Sequence, residues 1–442
     1  MSVASNRSGL RLTLSSVSVA FSLLAAFVAH AQPPASAKAA STRPAPGSGR
    51  VALYAAVGAE LTQYEVDVGG ATLVKRGSVT LPGKVQYAWP HPSKQYLYVA
   101  WSDGGPRGPS GPPVGGRNHG VSAFRIDAPS GALHPQGRPI SLPSRPVHLS
   151  TDISGEHVLV AHNDPSAMTV YRIGSDGSIA AQVKEPAALD AGIYAHQVRV
   201  DPSNRTVILV TRGNGPTRDK PEDPGALKIF SYKDGLLSNR ASVAPGGGFN
   251  FQPRHLDFHP SRPWVFVSLE RQNQLQVYKK LNDGTLSAAP LFTKDSLADP
   301  AHVRPGQAAG TVHVHPNGRF VYQANRASGT VDFEGKAVFA GGENTIAVFA
   351  INPNTAEPTL IQKIDTQGVS ARTFALDPSA RILVAGNQVP FLVRRGPNVA
   401  TVPASLAVYR VRDDGKLDFV RKYDVEASGS KSLFWMGLVA LP

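Results

Sequence analysis

A short β-type run that ends in an aromatic, followed within about ten residues by a turn and one more apolar residue, occurs seven times along the chain. LTQYEVDVGGATL, VSAFRIDAPSGAL and LAVYRVRDDGKL are three of the copies, and the aromatics fall at Tyr64, Phe124, Tyr171, Phe230, Tyr278, Phe349 and Tyr409. Such runs bounded by turn residues predict strands. The copies recur every 47 to 71 residues. A long period built from strands and turns predicts a β-propeller, in which each repeat is one four-stranded blade. The expected fold is therefore all-β, a seven-bladed β-propeller.

A second landmark interleaves with the first: HPSKQYLYVA, DISGEHVLVA and four similar segments begin at His91, Asp152, Asp201, His259, His315 and Asp377. Each reads as a tight turn leading into an apolar run. In five of the six, Pro at the next position fixes φ, and the His or Asp side chain can bond the turn backbone, so a structural role is expected for these residues. Only six copies exist, and the missing one predicts how the ring closes. VALYAAVG, from Val51, has the character of a second strand and SLFWMGLVALP, at the C-terminus, that of a first strand. The first blade should therefore be closed by strands from both chain ends, which removes the free sheet edges.

The repeat spans 51–442 and leaves no room for another domain. Before it, Arg7 and Arg11 precede the apolar stretch 12–29, and Ala29-His30-Ala31 fits a small-residue cleavage site. Residues 1–31 read as a secretory signal peptide and the Pro/Ala/Ser-rich 32–50 as a disordered tether. A periplasmic or secreted location follows, with no membrane attachment after cleavage. The chain has no cysteine, which excludes disulfides, thiolate metal sites and a cysteine nucleophile. Its formal charge of +13 suits an anionic partner. The basic residues are dispersed over the repeats without an aromatic–basic recognition signature, so the expected partner is a small anion rather than nucleic acid, bound by a monomer.

Repeats keep structural positions alike, so chemistry is sought where equivalent residues diverge. Five residues before each turn landmark stand Gln86, Val147, His196, Arg254, Gly310 and Arg372. The next register holds Tyr87, His148, Gln197, His255, Thr311 and Thr373, and the ends of the second strands hold Ser102, Asn163, Arg212, Glu270, Arg326 and Gln388. Buried Arg and Glu demand partners or solvent, so these rings predict a polar funnel around the channel. The loops 103–120, 213–226, 327–343 and 389–404 are long and should rise on the same mouth.

At these residues the sequence resembles the lactonase-type seven-bladed propellers, the family of the 6-phosphogluconolactonases and the carboxy-muconate lactonizing enzymes. The segments that carry the resemblance are AHQVRVDPSNR, QPRHLDFHPSRPWVFVSLE, HVHPNGRFVYQANR and ARTFALDPSARILVAGNQ, with Pro-Arg-His followed 16 residues later by Glu the most specific element. The resemblance implies an active site at the channel mouth with His196, Arg254, Glu270 and Arg326 as catalytic residues. His255, Arg372, Gln388 and Arg212 lie in matching segments or rings and are assigned to substrate binding.

That set suits a lactone. Hydrolysis needs a base for water and donors for the carbonyl oxygen. His196 is expected to titrate near neutrality, with Glu270 orienting it or acting as base, while Arg254 and Arg326 hold a carboxylate or the developing oxyanion. The same groups would run lactonization, as a muconate-type cycloisomerase does, and a noncatalytic propeller that binds a ligand or a protein at its mouth is the third reading. No metal or other cofactor is needed in either chemical scheme. The three arginines Arg254, Arg326 and Arg372 would crowd a calcium ion of the kind that other gluconolactonase propellers use.

Overall fold

The computed structural model describes residues 49–105, 116–428 and 431–442. The leader assigned to 1–31, and the tether assigned to 32–50 except for its last two residues, lie outside the described residues.

Among the described residues, seven four-stranded antiparallel sheets form from Val51 onward. Blade one joins Leu433–Ala440 to Val51–Val57, Glu60–Asp67 and Thr72–Thr80. Its closure runs in register from Val51 opposite Ala440 to Ala56 opposite Trp435 and shifts at Val57, which stands opposite Leu433. Blades two to seven follow at 84–141, 146–182, 195–243, 253–295, 307–365 and 371–424, each running outward from its first strand. The first strands touch one another in an unbroken circle that returns to blade one. They line the axis.

Second strands are buried on both faces, as in Val158–Ala161, and this explains their continuous apolar runs. Their side chains collect in seven hydrophobic clusters, each at a seam between neighbouring blades. The repeating aromatics sit on third strands, and Tyr278, Phe349 and Tyr409 are fully buried in those seams. Burying each such side chain contributes roughly 1.5–3 kcal/mol, which favours an aromatic at this position.

The turn landmarks staple backbone. Asp201 accepts from the amide of Thr206, Asp377 from Ile382, and His259 from Ser261 and Arg262. Two histidines also reach the next blade: Nε2 of His91 lies 2.8 Å from the carbonyl of Gly155, and that of His259 lies 2.9 Å from Gly318. Gly155 adopts φ +77°, and a Cβ there would stand 2.4 Å from His91 Nε2, so only glycine fits.

Candidate active site

Each first strand of blades two to seven begins at one mouth of the channel and ends at a turn landmark, so the loops entering first strands and leaving second strands surround that starting mouth. Glu270, just beyond the second strand of blade five, is its electrostatic centre. Oε2 accepts from Nη1 of Arg212 at 2.9 Å, Oε1 accepts from Nη2 of Arg326, and Nε of Arg254 stands 3.3 Å from Oε1. The Arg254 contact is an ion pair without hydrogen-bond alignment, which leaves Nε and Nη1 of a side chain only 2% exposed without an acceptor. Three adjacent blades thus supply three guanidinium groups to one carboxylate.

Burial pushes the Glu270 carboxyl up, but Arg212, Arg326 and Arg254 outweigh it and hold the group well below the usual carboxylate range. It stays ionised and is a poor base. Arg254 is pushed down to about 10 by burial and by Arg326. Burial, reinforced by Arg254, also drives His196 well below the ordinary imidazole value despite the pull of Glu270. Two expectations change as a result: His196 is neutral rather than poised near pH 7, and Glu270 is a counter-ion to arginines rather than a base. Nor does Glu270 orient the imidazole, because Nδ1 of buried His196 has no hydrogen-bond partner.

Beside this cluster, His196 and the second-ring residues of blades two, three and five meet as an aromatic column in the channel. The His196 and His255 rings lie 5.2 Å apart, His255 and His148 6.0 Å, and His148 and Tyr87 3.9 Å. Burial lowers all three imidazoles and raises the Tyr87 phenol to about 12, so the column is uncharged. A void of about 10 Å³ is lined by His196, Arg254, His255 and Arg372, among others. A much larger cleft of about 870 Å³ opens beside it, walled by Arg145, Asn163, Tyr194, Arg212 and the 213–226 loop.

The sequence profile described as "Lactonase, 7-bladed beta-propeller" matches residues 50–395. The chain belongs to this family. It is 28% identical over 61% of its length to a 6-phosphogluconolactonase of Bacillus subtilis, of which 70% is covered. A 6-phosphogluconolactonase of Serratia proteamaculans is 24% identical over 85% of the chain and 93% of its own. Among solved structures, the periplasmic gluconolactonase PpgL of Pseudomonas aeruginosa superposes with a TM-score of 0.62 at 20% identity, over 89% of this chain and all of that one. A protein of Bacteroides uniformis described as a putative 6-phosphogluconolactonase gives 0.66 at 17%, over 89% and 100%. These two likenesses are likenesses of fold.

Of the residues singled out in this lactonase-family chain, His196, Arg212, Arg254, His255, Glu270 and Arg326 gather at one mouth. Arg372 joins them at the void, its guanidinium 3.7 Å over the Phe434 ring and its Nε bonded to the Phe434 carbonyl. Gln388 stands apart, tied to the Ser370 hydroxyl at 3.4 Å. Gln86 is spent on Arg145, and Gln197 on the Leu256 amide of the next blade. Two residues of the site were not foreseen, Arg145 and Tyr194. Tyr194 holds φ +56° and lies face-on under Arg212, 4.0 Å from its guanidinium, so it fixes the arginine that grips Glu270. Both stand two residues before the first ring, at equivalent positions that diverge as strongly as the three rings did.

The long loops hold structure of their own. Two of them fold into hairpins, Thr330–Phe333 with Lys336–Phe339 and Phe391–Arg395 with Asn398–Val402, which meet through Phe339 and Phe391 at 6.0 Å. The middle of loop 103–120 lies outside the described residues.

Proposed function

We propose that this protein is an exported lactonase that hydrolyses an anionic sugar lactone at the mouth formed by blades four to seven. The observation that carries the reading is the pairing of a neutral, unpartnered His196 with a buried Arg254 whose Nη1 has no acceptor. A lactone presents what these two groups lack: a carbonyl oxygen that gains charge and a water that must lose a proton. The void beside them is about the size of one water.

The steps balance on this chain's own groups. Water attacks the carbonyl carbon as His196 takes its proton, and the oxyanion is held by Arg254. The tetrahedral carbon then expels the ring oxygen, which receives that proton from the imidazolium, leaving an open hydroxy acid. Arg372 and Arg212 suit the anionic substituent, and its arrival offsets the arginine field that adds to burial in depressing His196, strengthening the base as substrate binds. The guanidinium groups provide the positive charge that a Lewis acid would otherwise supply, so the reaction is proposed to run without a metal. The names of the curated relatives support a phosphorylated or otherwise acidic aldonolactone, and the signal-like 1–31 supports action outside the cytoplasm.

The test is hydrolysis of a panel of aldono- and uronolactones, with and without phosphate, by the wild type and by His196→Ala and Arg254→Met. Substitution of Arg254 should lower kcat/KM by roughly 10²–10³, and His196→Ala by a comparable factor while the protein remains folded. Turnover that survives both substitutions would remove the proposed chemistry. Tight binding without turnover would point to a ligand-binding propeller, and formation of lactone from an unsaturated diacid to a cycloisomerase.

A further inference from the structure

The opposite mouth carries a cavity of about 510 Å³ between the far ends of the first strands, within the size range of small-molecule pockets. The repeat logic that located the first site also operates here. Three residues after the first ring stand Trp89, Ser150, Arg199, Asp257, His313 and Ala375, equivalent positions that again diverge into aromatic, cationic, anionic and imidazole groups. Ordinary blade packing would keep such positions alike.

The divergent residues converge. Arg199 pairs with Asp257 at 3.1 Å, and Nδ1 of His313 stands 3.7 Å from the other carboxylate oxygen. Their side chains are 15%, 17% and 31% exposed, so the group is largely desolvated; Arg199 and His313 line the cavity, and Asp257 backs them. The guanidinium is clamped 4.9 Å from the Trp89 ring and 5.6 Å from that of Phe258. Asp257 Oδ2 also takes the amide of Val314, which fixes the carboxylate. The polar floor is thereby rigid.

Charge and shape define the ligand class. The ion pair is closed on itself, so the floor does not call for an ionic partner. It instead offers the guanidinium N–H groups of Arg199 not spent on Asp257 or the Leu256 carbonyl beside the imidazole of His313, with Asp257 behind them holding both. A purely apolar guest would leave them desolvated and unmet, at a cost. A molecule whose neighbouring hydroxyls each donate and accept would satisfy both, while its C–H face rests on the partly exposed Trp89 wall. We propose that this cavity is a second, noncatalytic site that binds a neutral sugar ring.

The proposal does not depend on the chemistry at the other mouth, and its test separates the two. Tryptophan emission and titration calorimetry of the purified protein would be followed with D-glucose, D-galactose and D-mannose, with indole and sodium gluconate as comparators. At least one hexose should saturate, with Kd on the order of millimolar. Trp89→Leu and Asp257→Asn should each weaken it about tenfold. His313→Gln, a milder change, serves where either variant fails to fold, as judged by its melting temperature. His196→Ala should leave hexose binding unchanged, and Trp89→Leu should leave lactone turnover unchanged. Absence of saturation by any hexose, preference for indole or gluconate, or loss of hexose binding in His196→Ala would overturn the assignment.

Discussion

Replacing Glu270 by Gln removes one negative charge from a site that holds three guanidinium groups and changes almost nothing in shape. In the wild type Arg212 and Arg254 stand 2.9 and 3.3 Å from its oxygens, and Arg326 bonds Oε1. The amide keeps one acceptor oxygen but turns an NH₂ toward a cation. Removing one partner of a buried ion pair costs about 3–5 kcal/mol, because the surviving charge is left desolvated. Unfolding entropy near 2.1 cal/mol/K per residue gives a propeller of this size a slope of roughly 0.8 kcal/mol per kelvin, so the melting temperature of Glu270→Gln should fall by about 4–6 °C at pH 7. Because folding depresses the Glu270 carboxyl, its contribution is complete above the ordinary glutamate value and drains as pH falls below it. The gap between wild type and variant should therefore close in acid. Sulfate should restore part of the loss by occupying the vacated charge, and Glu270→Gln with Arg326→Met should melt higher than Glu270→Gln alone. Scanning calorimetry across pH and sulfate concentration measures all of this. A variant that melts within about 1 °C of wild type and ignores sulfate would refute the view that this carboxylate is the counter-ion of the arginine cluster.

Two further outcomes follow from other parts of the molecule. Because burial and Arg254 hold His196 well below its ordinary value, kcat/KM should stay level as pH falls through about 6.5 and drop only further into acid; an acid limb centred on the ordinary imidazole value in the pH–rate profile would contradict the neutral-base reading. Gly155→Ala forces a Cβ against His91 at φ +77° and should destabilise the fold by about 1–3 kcal/mol without altering turnover, measured by urea unfolding beside the lactone assay.

The site was only partly legible. Arg254 and Glu270 stand out by their 16-residue spacing and by being charged where repeats predict apolar strand ends. Arg145 and Tyr194 carried the same signal one alternate register earlier, and comparing that position across the repeats would have exposed them. The hairpin of Thr330–Phe333 with Lys336–Phe339 was equally readable: Glu334 and Gly335 both take positive φ, as a two-residue hairpin turn requires, and alternating residues flank them.

What the sequence determined by itself is the repeated unit: where strands begin, which turns join them, how many blades form, and that Val51–Val57 must pair with the C-terminal strand. Those features are local and recur in every repeat, so period-two patterning and turn chemistry encode them many times over. The tertiary structure alone decided that one carboxylate would serve three arginines, that His196 would be stripped of its proton, and that Arg199, Asp257 and His313 would meet at the far mouth. Pairing and protonation depend on distances of a few ångströms between residues some fifty positions apart and on the water excluded around them, and no single stretch of chain carries that information.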